Sequence, residues 1–406
     1  MNKADAQRLS AYLEKLGFEP TDKSEQADLI ALVTCGVRQA AEDRIYGLIP
    51  QFRQANPKVK IILTGCLSDR PDVKERLGER VDVYFNIADL PHLADKLGLK
   101  DETGSVAGYL NLDAKYQSTY SAYVPIGNGC NNFCAYCVVP YARGREVYRP
   151  YDEVLAEVKR LVAKGYKEII LIAQNVNSYA SGAVDFPALL KMIDELPGDF
   201  WIRFATSHPK DLSDKLIATV AESQKICPHW HIALQSGDDQ ILAKMNRNYT
   251  AKHYLDIINK IRQAIPKAAI TTDIIVGFPG ETEEQFQHTN DLIKQIGFDQ
   301  IFISQYSMRP GTASAKLADN VSAEDKKRRE QVLDKTLKAG LAVRNKDLLG
   351  QEAVILVEKQ DGQYAYGRSA DFKMIRFATQ ADYLGQFVSV VISGQKFFSF
   401  TGQLKK

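Results

Sequence analysis

Short apolar runs alternate with helix-length stretches through most of this 406-residue chain, and that alternation restricts its fold more than any other feature. A helical pattern over 3–16 precedes an apolar run at 29–33, a helix over 40–55, a run at 59–63 and a shorter one at 81–85. A second series has strands expected at 168–173, 201–205, 229–234, 269–276 and 300–305, separated by helices such as 151–164 and 251–264. Strands separated by helices pair in parallel, because the crossover returns the chain to the same end of the sheet. The first series predicts a doubly wound parallel sheet and the second a curved or closed barrel. In both, ligands gather at the carboxyl ends of the strands. After a mixed-charge helical stretch over 323–349 come short β runs at 353–358, 364–368, 387–392 and 397–402, the pattern of a small β-barrel.

A chain of 406 residues exceeds what one hydrophobic core organises and calls for two or three domains. A net charge of +2 gives no global basic field, so any nucleic-acid contact must use local patches. No stretch reaches the eighteen or so apolar residues of a membrane span, and the first residues lack a signal peptide's apolar core. Six cysteines in so long a chain do not make a disulfide scaffold, and thiolate clusters need a reducing compartment, so a soluble, cytoplasmic protein without membrane contact is expected.

The run Gly129-Cys-Asn-Asn-Phe-Cys-Ala-Tyr-Cys carries Cys130, Cys134 and Cys137 in C-x3-C-x2-C spacing. Three thiolates on one tight loop can each hold one iron of a cubane cluster, leaving the fourth iron open to a small molecule. A structural zinc site is the alternative, but it normally takes four ligands in two pairs, and no fourth ligand lies nearby in the sequence. Tyr136, between the second and third cysteines, suits a loop that also lines an organic ligand.

This trio, followed by Val138-Val-Pro-Tyr-Ala-Arg-Gly-Arg-Glu146, resembles the cluster loop of the radical S-adenosylmethionine (SAM) methylthiotransferases. So, in order along the chain, do Ile172-Ala-Gln-Asn-Val-Asn-Ser-Tyr179, Arg203-Phe-Ala-Thr-Ser-His-Pro209, His231-Ile-Ala-Leu-Gln-Ser-Gly237, Thr272-Asp-Ile-Ile-Val-Gly-Phe-Pro-Gly-Glu-Thr282 and Arg309-Pro-Gly-Thr312. The resemblance implies three domains: a flavodoxin-like methylthiotransferase domain at 1–105, a radical SAM core at 116–346 built as a partial (β/α)6 barrel, and an RNA-binding TRAM barrel at 347–406. It also implies two [4Fe-4S] clusters and SAM as cofactors.

Cys35 and Cys66 each follow an apolar strand, so in a parallel sheet both reach the same rim. A lone cysteine is more often a small buried hydrophobe, but the shared placement points to ligation. In the family a third cysteine completes an auxiliary cluster, and its place would fall just ahead of Met1. The chain opens directly on a helix where a parallel sheet would have a preceding strand, so one strand and one ligand are expected upstream. A two-cysteine variant, with the cluster completed otherwise or not formed, is the alternative.

Gln174, Asn175, Thr206, Ser207 and Gln235 follow strands, and Asp273 lies on one; with Tyr136 they are the expected SAM contacts. Any one of them could instead cap a helix. His208 and His231 are candidate bases, though an ordered turn and a satisfied core position explain them as well. The Gly277 to Thr282 segment lacks a phosphate loop's Lys-Ser/Thr ending and reads as a strand-to-helix turn, as Pro310-Gly311 reads as a turn.

In the C-terminal run, Arg368, Lys373 and Arg376 interleave with Tyr364, Tyr366 and Phe372, as a single-strand RNA surface would, although some of these aromatics could fill a small core. The resemblance implies methylthiolation at C2 of a prenylated adenosine in tRNA, with a low-potential electron donor such as flavodoxin or ferredoxin and a monomeric enzyme. Alternatives are threonylcarbamoyladenosine in tRNA, an aspartate of a ribosomal protein, or a noncatalytic iron–sulfur RNA-binding module.

Overall fold

The computed structural model describes residues 1–36, 39–100 and 108–405. Two compact units divide the chain: Met1–Gln117 with Pro125–Arg149 and Ser307–Lys316, and Ser118–Val124 with Pro150–Tyr306 and Leu317–Lys406. The cysteine loop and the segment after the last barrel strand thus fold with the N-terminal sheet, and the C-terminal barrel folds with the (β/α) strands. The domain boundary expected at 105 lies outside the described residues.

In the first unit, β1 (Leu29–Thr34), β2 (Lys60–Gly65) and β3 (Val83–Tyr84) pair in parallel in the order β1-β2-β3. Alternate side chains of β1 point to opposite faces. Leu29, Ala31 and Val33 pack with Leu9, Tyr12 and Leu13 of α1 (Asn2–Lys15). Ile30 and Leu32 pack with Ile45 and Ile49 of α2 (Gln39–Ala55). Helices therefore cover both faces, as a doubly wound sheet requires. Among the described residues the unit also contains the short α-helices α3 (Pro71–Leu77), α4 (Leu93–Leu97) and α5 (Val139–Arg143).

The second unit contains β4 (Ser121–Pro125), β7 (Glu168–Ile172) and β10 (Trp201–Ala205), which adjoin as β10-β7-β4, and β11 (His229–His231), β12 (Ala269–Val276) and β13 (Gln300–Gln305), which adjoin in chain order. A parallel bridge from Ser207 to Ile232 joins the two sets into a six-strand curved sheet. Between them in sequence, β5 (Gly127–Asn128) pairs with β6 (Val147–Tyr148), and β8 (Ala180–Ser181) with β9 (Val184–Asp185), as short antiparallel ribbons. Expected at 229–234, β11 is regular only to His231. Beyond it the chain keeps single bridges, with Gln235 at φ 69°.

The C-terminal segment closes into a five-stranded barrel in the order β14 (Glu352–Asp361), β15 (Tyr364–Ser369), β16 (Met374–Ala378), β18 (Ser399–Leu404) and β17 (Phe387–Lys396). Strand β16 is additional to the four expected runs; its Ile375 and Phe377 fill the core while Arg376 points out. The barrel docks on the N-terminal ends of the second unit's strands. There Trp201 meets Phe387 at 4.6 Å and His229 stacks on Phe372 at 4.3 Å. Arg203 donates to the Ser369 and Ala370 carbonyls at 2.8 Å. The opposite, carboxyl ends of the strands are left for ligands. Among the described residues no helix is long and apolar enough to cross a membrane.

Candidate active site

The loop of Cys130, Cys134 and Cys137 is built by a glycine and two backbone turns. Gly129 has φ +82°, and a Cβ there would stand 2.1 Å from the Arg145 carbonyl oxygen, so only glycine lets the loop pass the returning chain. The Cys130 amide donates to the Gly144 carbonyl at 3.2 Å and the Cys137 amide to that of Cys134 at 3.0 Å. Phe133, at φ 46°, lies under the Arg145 guanidinium at 4.6 Å. Cys134 is buried, while Cys130, Tyr136 and Cys137 are half-buried. Desolvation raises the Cys130 thiol and, with the charge of Cys134 added, pushes Cys137 up to about 12. Such thiols keep their protons until a metal displaces them.

The other two cysteines stand at adjacent strand ends. Thr34, at the end of β1, donates through Oγ1 to the Thr64 carbonyl at 2.7 Å and accepts from the Leu67 amide at 3.1 Å, which locks the two loops together. A Cβ on Gly36 would lie 3.1 Å from the Cys66 Cβ and 3.4 Å from Val138 Cγ2, so the turn after Cys35 passes directly against Cys66 and against the continuation of the trio loop. Cys35, Cys66, Cys130, Cys134 and Cys137 thus belong to one unit, and Cys227 to the other. That loop is anchored by Arg143, whose Nη2 donates to Asp5 Oδ2 at 2.6 Å with both side chains buried. Burial works against its charge, but Asp5 and then Cys66 outweigh it and raise the Arg143 pKa. A cavity of about 410 Å³ lies beside them, with Cys66, Arg70, Val138, Tyr141, Pro310 and Gly311 in its wall.

In the second unit the polar residues expected to hold SAM occupy the carboxyl ends of the strands. Gln174 Oε1, Ser207 Oγ and Gln235 Oε1 are buried with no hydrogen-bond partner. Thr206 and Gln235 have φ of 73° and 69°. Unsatisfied buried oxygens and left-handed non-glycine residues are both costly, and they concentrate where a ligand compensates them. Asp273 bonds His231 Nε2 at 3.0 Å, and His231 Nδ1 meets Thr271 Oγ1 at 3.0 Å. Asn175 is committed within the fold: its amide donates to Asp211 at 2.7 Å and its oxygen accepts from the His208 amide at 3.2 Å. His208 is itself structural, pushed down to about 2 by burial and then by Arg247 and Lys210.

The expected RNA-contact residues separate. Arg376 is exposed and lies 4.6 Å over Tyr364. Arg368 pairs with Glu358 at 3.0 Å, and Lys373 is held between Asp371 at 2.5 Å and Asp299 at 3.7 Å. Arg143 with Asp5, and Arg309 with Glu42, were not singled out from the sequence. Only their positions within family-like motifs could have drawn attention to them.

Residues 124–293 match the Radical SAM superfamily, and residues 1–85 match Uncharacterized protein family UPF0004. Over all of this chain and 94% of its own length, the tRNA-2-methylthio-N(6)-dimethylallyladenosine synthase of Clostridium novyi is 40% identical. The synthase of Dictyoglomus thermophilum is 38% identical over all of this chain and 96% of its own length. The chain belongs to the radical SAM methylthiotransferases. Among solved structures, the radical SAM methyltransferase TsrM from Kitasatospora setae superposes with a TM-score of 0.58 at 16% identity, over 76% of this chain and 73% of that one, a likeness of fold alone.

A methylthiotransferase uses SAM and [4Fe-4S] clusters; Cys130, Cys134 and Cys137 offer three thiols on one loop for one cluster, and Cys35 and Cys66 offer two at adjacent strand ends. The orphaned oxygens of Gln174, Ser207 and Gln235 are the acceptors that a ligand with amine and hydroxyl donors would satisfy.

Proposed function

We propose that this methylthiotransferase adds a methylthio group to C2 of N6-dimethylallyladenosine beside the anticodon of tRNA. The single observation that carries the reading is the full-length similarity to synthases of that name, 40% identical over all of this chain. When bound, the clusters and SAM would supply radical chemistry to remove the C2 hydrogen, which no acidity or leaving group assists, together with the sulfur and the methyl group, the electron coming from an external donor.

The chain's own residues bind and orient. Cys130, Cys134 and Cys137 would hold the cluster that cleaves SAM, and Cys35 and Cys66 would supply two of the auxiliary cluster's ligands. Gln174, Ser207 and Gln235 accept from SAM's polar groups. Thr206 lines the same ligand, and Asp273, oriented by His231, accepts a further donor. Asn175 acts one step away, fixing the loop after β7 through Asp211 and the His208 amide. An anticodon loop presents its adenine already unpaired, which lowers the cost of extruding it. Arg376 on Tyr364 is the exposed pair suited to base and phosphate, whereas Arg368 is paired with Glu358 and Lys373 with Asp371 and Asp299. A low-potential donor such as flavodoxin or ferredoxin reduces the monomeric protein in the cytoplasm.

Paired variants test the division of labour. Cys134→Ala is expected to abolish 5′-deoxyadenosine formation from SAM. Cys35→Ala is expected to retain that formation while stopping sulfur insertion. Cleavage retained in the first, or normal methylthiolated product from the second, contradicts the assignment.

A further inference from the structure

Regular pairing of β11 ends at His231, yet the chain stays bridged to its neighbours as far as Gln235, whose side-chain oxygen is buried without a partner. Those neighbours take the amides of the irregular segment. Ala233 donates to the Ser207 carbonyl at 3.3 Å, Leu234 to Thr272 Oγ1 at 2.9 Å and Gln235 to the Asp273 carbonyl at 2.8 Å, while the Gln235 carbonyl accepts from the Ile275 amide at 3.0 Å. The carbonyls of Ala233 and Leu234, both buried residues, receive no donor from the adjoining strands. A buried carbonyl left so is costly, and here two side chains beyond the short helix Asp239–Lys244 satisfy the pair. Tyr249 Oη lies 2.7 Å from the Leu234 carbonyl and 3.1 Å from that of Ala233. Arg247 donates through Nη2 to the Ala233 carbonyl and through Nε to Tyr249 Oη, the latter at 2.8 Å. A phenol has one proton to give, so Tyr249 serves Leu234, the nearer, and Arg247 serves Ala233. Both side chains are buried.

Gln235 takes φ 69°, a conformation that a residue other than glycine keeps only where its surroundings fix it. The two carbonyls immediately before it are what Arg247 and Tyr249 grip. Their release would free the peptide units that lead into Gln235, and with them the direction of its side chain. We propose that Tyr249 and Arg247 are positioning residues for SAM binding: by satisfying the Leu234 and Ala233 carbonyls they hold Gln235 in its left-handed conformation and keep its side-chain oxygen available to SAM's donors. The proposal rests on the assignment of Gln235 to SAM made above.

The test uses the full chain, reconstituted anaerobically with iron and sulfide, and reads equilibrium SAM affinity by calorimetry in a double-mutant cycle of the parent, Tyr249→Phe, Gln235→Ala and the two combined. Arg247→Gln is carried through the same cycle, so that the test stands if one variant does not fold, and urea unfolding checks that each is folded. The expected result is SAM binding about tenfold weaker in Tyr249→Phe and in Gln235→Ala, with the combined variant within about twofold of Gln235→Ala alone. A residue that acts through Gln235 produces such non-additivity, whereas a general loss of stability does not. Parent-like SAM affinity in folded Tyr249→Phe and Arg247→Gln overturns the proposal. So do losses that add in the combined variants, because the residues then act separately. SAM affinity unchanged in Gln235→Ala overturns the assignment of Gln235 to SAM, and the proposal with it.

Discussion

Arg143 and Asp5 show how much one buried pair decides. Their contact of 2.6 Å joins the helix after the cysteine trio to α1, and the second Asp5 oxygen has no partner. Removing the guanidinium leaves a carboxylate buried and uncompensated, so Arg143→Met is expected to cost about 3–5 kcal/mol in urea unfolding. A loss below about 1 kcal/mol would mean that Asp5 finds another partner or reaches water. The pair spans 138 positions, and no periodicity or local spacing announces it. The trio itself was legible because its chemistry lies within eight residues of chain. The placement of Gln174, Ser207 and Gln235 at strand ends was legible for a different reason: parallel topology puts those ends at a rim whatever the loop details. Asn175 and Lys373 were not separable from them in sequence. Whether such a side chain faces a ligand or the protein depends on distant partners, here Asp211 for one and Asp299 for the other.

At the scale of elements, local rules served helices better than barrel strands. The turn from β12 into helix Glu283–Ile296 follows its sequence closely. Thr282 caps the helix by accepting from the Gln285 amide at 3.2 Å, and the Gln285 side chain accepts from the Thr282 amide at 3.1 Å. Glu281 accepts from the Gly277 amide at 2.6 Å and pairs with Arg329 at 2.7 Å, which ties this strand-to-helix turn into the fold. Thr282→Ala should cost about 1 kcal/mol, with Thr282→Ser recovering most of it; equal stability of the alanine variant would show that the capping box is not formed in solution. Strand β16 escaped notice because five residues carry only two core positions, and its parallel neighbour β18 begins at Ser399, far along the chain.

Across the whole molecule, burial of neutral histidines couples stability to pH. His208 is pushed down to about 2, and His229 lies well below its ordinary value through burial and then Arg203. Between those values and about 6.5 the unfolded chain binds protons that the folded chain refuses. Their contribution is therefore complete above about pH 6.5 and is lost as pH falls, by up to about 1.4 kcal/mol per unit for each histidine. Urea unfolding between pH 7.5 and 5.5 should show this fall, and His229→Gln should make it shallower. A slope indifferent to that substitution would place the titration elsewhere. The two-unit organisation, in which the trio loop folds with the N-terminal sheet, could not be read from chain order because it depends on contacts across more than a hundred residues. The central claim remains the reaction, and nucleoside analysis tests it most directly. Reconstituted protein is incubated with SAM, a low-potential reductant, sulfide and tRNA bearing N6-dimethylallyladenosine, and the digest is resolved by mass. The expected result is conversion of that nucleoside to its 2-methylthio derivative together with 5′-deoxyadenosine; SAM cleavage with the prenylated nucleoside left unchanged would contradict the claim.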